Sequence, residues 1–222
     1  MSDDRFIAVW TSRMQTHVGL FLWLSSIFLV FPHLRDAEAS RMLLDIFFTL
    51  AIVFALCRWE GRRRTTSILY FITGVTAAVS AWIAYGTGSG ETIVSGLYAL
   101  FFGFSVYIHF CDLVAVDEVD GDTLLGAACA YMLIGLFFAS LFMLFYSIDP
   151  ACMSLSSEKN ESSTRLVYFS FITLTTVGYG DVVPTSSVTR MLAAYEAIIG
   201  QAFMAIIVGL LVGKRLSRMR PE

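Results

Sequence analysis

The chain has 222 residues, of which 57% are hydrophobic and 15% charged, with a mean hydropathy of +0.72 and a formal net charge of −3 at pH 7. That lies outside the composition of ordinary soluble domains, and the charges sit in short polar bands between long apolar runs. A water-soluble protein is excluded, the lipid bilayer becomes the first expected partner, and no nucleic acid is expected.

Apolar runs of about 20 residues are long enough to cross the hydrocarbon core as helices. Six such stretches can be marked, at 16–34, 42–59, 67–85, 92–111, 123–147 and 187–213. Ahead of them, segment 1–15 carries Phe6, Val9, Trp10 and Met14 at roughly helical spacing, which suits either an interfacial cytoplasmic helix or a plain tail. The first run has no small-residue cleavage site after it and is preceded by Asp3 and Asp4, so it reads as a retained helix and not a signal peptide.

The first four runs form one expected unit, a four-helix membrane domain over 16–111. A linker at 112–122 then carries Asp112, Asp117, Glu118, Asp120 and Asp122 without a basic residue. It lacks the ligand spacing of a calcium loop and reads as a solvated acidic face. The pore-like unit follows over 123–213, with a short basic cytoplasmic tail at 214–222. Cys57, Cys111, Cys129 and Cys152 show no metal-ligand spacing, and no disulfide is expected.

Lysine and arginine are the residues that orient short loops. With the N-terminus inside, ten of the 15 basic residues fall on the cytoplasmic side, Arg58 to Arg64 and the tail among them. Both termini are therefore expected in the cytoplasm. Between the fifth and sixth runs, on the outer side, lie a polar loop and a segment at 164–175 that is too short to span. Ser163 or Thr164 suits its N-cap. Non-helical backbone at membrane depth must be buried in protein or line a watery cavity, so this segment reads as a re-entrant helix entering a loop.

That loop reads Thr173-Leu174-Thr175-Thr176-Val177-Gly178-Tyr179-Gly180-Asp181. A potassium ion gives up its hydration shell only where other oxygens replace it, and stacked backbone carbonyls can do so. Pointing them one way requires backbone of alternating handedness, which glycine tolerates. Gly178 and Gly180 are spaced for this, Val177 and Tyr179 would wedge the strand against its surroundings, and the Thr176 hydroxyl adds an oxygen at the inner end. One strand cannot surround an ion. Four chains are needed, and a homotetramer is expected.

Thr176-Val177-Gly178-Tyr179-Gly180-Asp181, followed by Pro184, resembles the signature selectivity filter of tetrameric potassium channels. The resemblance covers 123–216 as outer helix, outer loop, pore helix 164–175, filter 176–180 and inner helix 187–213, similar to a bacterial-type two-span pore module in a bacterial cell membrane. It covers the first four runs by number alone. It implies an all-α membrane protein of six transmembrane helices with a re-entrant pore helix and an extended filter, a passive potassium-selective channel with potassium as the conducted ion at Thr176, Val177, Gly178 and Tyr179, and no cofactor. It also implies that Asp181 bonds a pore-helix side chain behind the filter. Tyr168 stands where many relatives carry tryptophan, and Ile172 stands where some carry glutamate.

In the sixth run, Glu196 is an ionisable residue at membrane depth, costly unless it serves a purpose. Glu196 and Gln201 differ by roughly 140° around a helix and cannot share one face. The resemblance turns Gln201, Met204, Val208 and Val212 toward the conduction path and Glu196 behind the filter, as a structural brace or a titrating gate element. Gly200 suits either an inner-helix hinge or close helix packing.

A voltage sensor needs arginines at regular spacing along a span, and the fourth run contains no lysine or arginine. Six runs therefore do not imply voltage gating, and the activating stimulus is not written in the sequence. The alternatives are a pore subunit gated by a separate regulatory partner and a less selective cation channel. Nothing resembling a catalytic constellation is present, so no enzyme is expected.

Overall fold

The computed structural model describes residues 18–22, 24–26, 90–115, 121–155 and 162–218. The expected spans at 42–59 and 67–85, segment 1–15 and the middle of the acidic linker lie outside the described residues. Of the first run, 18–22 and 24–26 are helical. The described elements are helix α1 (Gly90–Val114), helix α2 (Gly121–Ile148), a 3-10 turn (Pro150–Cys152), strand β1 (Met153–Ser154), helix α3 (Ser162–Leu174), strand β2 (Val183–Pro184) and helix α4 (Ser187–Arg218).

Three of the described helices are long and apolar enough to cross a membrane: α1, α2 and the Ser187–Lys214 part of α4. The fourth, α3, has 13 residues and rises about 20 Å, well short of the roughly 30 Å hydrocarbon core. It begins at Ser162, so Ser163 and Thr164 lie inside its first turn and neither is the N-cap expected from the sequence. The short helix expected at 164–175 and α3 otherwise differ by two residues or fewer at each end.

Helix α2 is the centre of the packing. One of its faces joins α1 and α3 in an apolar cluster that includes Phe101, Phe102, Leu133, Leu136 and Val167. Its other face meets α3 and α4 through Ile134, Phe138, Phe142, Phe169, Leu174, Phe203 and Ile207. The rings of Phe142 and Phe169 meet edge to face with centroids 4.9 Å apart, a favoured geometry for aromatic quadrupoles. Polar side chains on these apolar faces satisfy themselves locally. The hydroxyls of Ser95, Ser105 and Ser140 donate to the carbonyls four residues earlier at 2.8, 2.9 and 2.8 Å, a bond that removes the cost of burying them.

The C-terminal end of α2 and the N-terminal end of α4 are tied together by a small polar clip. Asp149 caps the 3-10 turn by accepting from the Ala151 amide at 3.0 Å. Strands β1 and β2 then pair antiparallel, Met153 with Pro184 and Ser154 with Val183. The Cys152 carbonyl accepts from the Thr185 amide at 2.9 Å and from the Thr189 hydroxyl at 2.9 Å. Ser186 caps α4, its hydroxyl accepting from the Thr189 amide at 3.2 Å. Nothing in the sequence pattern announced this bridge, because two-residue strands carry no periodicity. It holds the chain leaving 173–181 in a defined place.

Candidate functional site: a glycine-bearing strand behind a short helix

Helix α3 ends at Leu174 and the backbone turns back on it. The Thr175 amide donates to Phe171 O at 3.1 Å, Thr176 to Thr173 O at 2.9 Å, and both Val177 and Gly178 to Ile172 O at 2.9 and 3.1 Å. The start of the loop is thereby tethered to the last turn of the helix. Carbonyls at that end carry the negative pole of the helix dipole, which favours a nearby cation.

Beyond the tether the backbone changes hand at every second residue. Thr176, Gly178 and Gly180 have φ of 60°, 52° and 79°, and Val177 and Tyr179 between them do not share the left-handed region. Such alternation turns successive carbonyls to the same side of the strand, the arrangement that carbonyl coordination of an ion requires. Thr176 is the informative member. It is the one non-glycine residue of positive φ among the described residues, and a β-branched residue adopts that conformation only under constraint from its surroundings. A Cβ placed at Gly178 or Gly180 would meet nothing within 4 Å in the single chain, so the need for glycine there comes from φ and not from crowding.

The strand stands clear of its own chain. Val177 is 52% and Tyr179 73% exposed, large apolar side chains with no cover from the described residues. On the distal side of the motif, the Asp181 carboxylate lies near the Tyr168 phenol of α3.

Behind the strand, three hydrogen bonds and one packing contact hold α3 in place, and of their members Glu196 and Gly200 were legible in the sequence. Glu196 of α4 is fully buried, with Oε1 2.5 Å from the Ser170 hydroxyl. Ser170, also fully buried, reaches the Gly135 carbonyl of α2 at 2.7 Å. The Tyr131 hydroxyl of α2 donates to the Leu174 carbonyl at 3.1 Å. Gly200 of α4 is buried against that same carbonyl, where a Cβ would lie 2.3 Å from Leu174 O. Sequence reasoning missed Tyr131, Gly135 and Ser170. Their partners are 43, 35 and 26 residues away, and for Tyr131 and Ser170 the available signal was a lone polar residue in an otherwise apolar stretch.

Along α4, Gln201, Met204 and Val212 are exposed in the single chain, whereas Gly200 faces α3. The Val208 side chain lies outside the described residues. At the far end of α4, Lys214 Nζ donates to the Val114 carbonyl at the C-terminus of α1, 3.2 Å away, a favourable place for a cation.

Residues 131–214 match the family model described as "Ion channel". This interval takes in most of α2, all of α3, the strand and α4 as far as Lys214. Three curated relatives match over a comparable length. "Two pore potassium channel a" of Oryza sativa subsp. japonica is 32% identical over 78 residues, 35% of this chain and 20% of that protein. "Two-pore potassium channel 1" of Arabidopsis thaliana is 38% identical over 80 residues, 34% of this chain and 20% of that protein. "Two-pore potassium channel 2" of Arabidopsis thaliana is 28% identical over 91 residues, 41% of this chain and 19% of that protein. The match therefore spans about a fifth of each relative. No solved structure matches the chain. Over 131–214 the chain is therefore similar to ion channels, the relatives matched there are potassium channels, and three of its described helices are long and apolar enough to cross a membrane.

Proposed function

We propose that this protein is a potassium-selective channel that conducts passively through a pore of four identical chains, with Thr176, Val177, Gly178, Tyr179 and Gly180 forming the selectivity filter. The observation that carries the reading is the left-handed backbone at Thr176, Gly178 and Gly180, within a strand tethered to a short helix. Its carbonyls, turned one way, can replace the hydration shell of the ion. Four copies close the ring because each chain supplies one such strand, and the exposure of Val177 and Tyr179 suits a surface meant for neighbours.

The same reading assigns Gln201, Met204, Val208 and Val212 to the conduction path, and places both termini in the cytoplasm with six spans between them. It does not include voltage sensing. Helix α1, the fourth span in this topology, has no arginine or lysine along Gly90–Val114, and a field across the membrane acts on charge. The test is uptake into liposomes of the purified full chain, with potassium compared against sodium across imposed voltages. Potassium uptake far above sodium, with weak voltage dependence, is expected. Equal uptake of both ions, or a tetramer absent from cross-linking in the membrane, would overturn the reading.

A further inference from the structure

The packing behind the strand raises a question about one proton. Ser170 has a single hydroxyl hydrogen and two oxygen neighbours, the Gly135 carbonyl at 2.7 Å and Glu196 Oε1 at 2.5 Å. A carbonyl can only accept, and an ionised carboxylate can only accept. If Ser170 gives its hydrogen to a carboxylate, two bare oxygens face each other at 2.7 Å at Gly135. If it gives its hydrogen to Gly135, the serine lone pairs face a charged oxygen at 2.5 Å. Both distances are satisfied together only when Glu196 itself brings a hydrogen.

We propose that Glu196 works as a neutral hydrogen-bond donor: its carboxyl O–H donates to Ser170 Oγ, and the Ser170 O–H donates on to the Gly135 carbonyl, so that one ordered relay joins α4, α3 and α2 behind the strand. Burial points the same way. Glu196 and Ser170 are both wholly buried, and Glu196 Oε2 has no hydrogen-bond partner among the described residues. An unpartnered acid carbonyl is far cheaper to bury than half of an unpartnered carboxylate. The titratable neighbour facing Glu196 from α2 is Tyr131, whose hydroxyl donates elsewhere, to Leu174 O, so it does not replace the missing donor.

The fold is shaped for this relay. A Cβ at Gly135 would sit 2.7 Å from the Phe171 ring, so a glycine at that position lets α3 approach α2 closely enough for Ser170 to reach a backbone carbonyl. Helix α4 approaches the end of the same helix at Gly200. Gly135 of α2 and Gly200 of α4 flank α3, which contributes Ser170, where the two contacts form. The consequence for conduction rests on the channel reading above. Glu196 is then a positioning residue, which keeps the helix behind the filter in one register through a donated hydrogen and not through its charge.

The experiment has one arm that is independent of conduction. Infrared spectra of the full chain in lipid at neutral pH, wild type minus Glu196→Gln, should contain a carboxylic-acid carbonyl band that moves on transfer to heavy water and shifts again in Ser170→Ala. In the second arm, Glu196→Gln, whose amide can still donate to Ser170, retains most of the potassium uptake, whereas Glu196→Met, similar in size with no donor, loses roughly tenfold, as expected for one buried hydrogen bond. Absence of the acid band, or Gln and Met variants equally impaired, would overturn the proposal. Wild-type protein that shows the band but carries no potassium would refute the channel reading and leave the relay standing.

Discussion

Gly200 and the carbonyl of Leu174 occupy a space that no other residue type can share. A Cβ at position 200 would lie 2.3 Å from Leu174 O and 2.9 Å from its Cδ1. Backbone cannot rotate away as a side chain can, so α4 passes the end of α3 only because position 200 lacks a side chain. Sequence reasoning left hinge and close packing open here, and the contact gives the glycine a packing role in the structure.

Gly200→Ala is therefore expected to lower stability by about 1–3 kcal/mol, the usual cost of overpacking. The measurement is the melting temperature of the purified protein. A glycine needed purely for bending would leave that temperature unchanged and alter gating alone.

At the strand, Gly178→Ala forces an L-residue to hold φ near 52°, at a cost of about 1–2 kcal/mol per chain. The expected outcome is collapse of potassium-over-sodium discrimination in liposome uptake. Thr176 already bears such a conformation at φ 60°. Thr176→Gly should relieve roughly 1 kcal/mol of that strain and raise the melting temperature, while selectivity falls with the lost hydroxyl.

Tyr131→Phe removes the bond to Leu174 O at 3.1 Å and keeps the ring that packs against Phe203 at 5.6 Å between centroids. A loss of roughly 0.5–1.5 kcal/mol is expected. Tyr131→Phe in a Glu196→Met background tests whether the two supports of α3 act together, since neighbouring supports of one element are not additive.

Cys152 gives a pH-dependent outcome. Burial pushes its thiol up, the neighbouring Asp149 carboxylate adds to this, and a backbone hydrogen bond opposes both. Raising a thiol's pKa lowers the thiolate fraction at neutral pH, and the thiolate is the reactive form. Maleimide should label Cys152 slowly at pH 7 and faster as pH rises. Rapid labelling at pH 7 would mean that the clip around Thr185 and Thr189 opens in solution.

The limits of sequence reading follow from the range over which each signal acts. The long runs at 92–111, 123–147 and 187–213 were legible because spanning a bilayer demands a length and a composition, both local properties of the chain. The strand was legible at Gly178 and Gly180 because a left-handed backbone selects its residue type locally. It was less legible at Thr176, where threonine is held in that conformation against its own preference. Local reading misplaced the start of α3, since Ser163 and Thr164 are as good in a first turn as at a cap.

By itself, then, the sequence determined the membrane class, the short helix between two long ones and the position of the glycine-bearing strand. Only the tertiary structure decided what stands behind that strand: Ser170 between Glu196 and Gly135, Tyr131 and Gly200 meeting one carbonyl of Leu174, and the Cys152 carbonyl gathering Thr185 and Thr189. These are contacts between groups 26 to 43 residues apart in the chain. Their partners are chosen by how closely helices can approach and by which buried oxygens still need a hydrogen, and neither quantity is written in any single stretch of sequence.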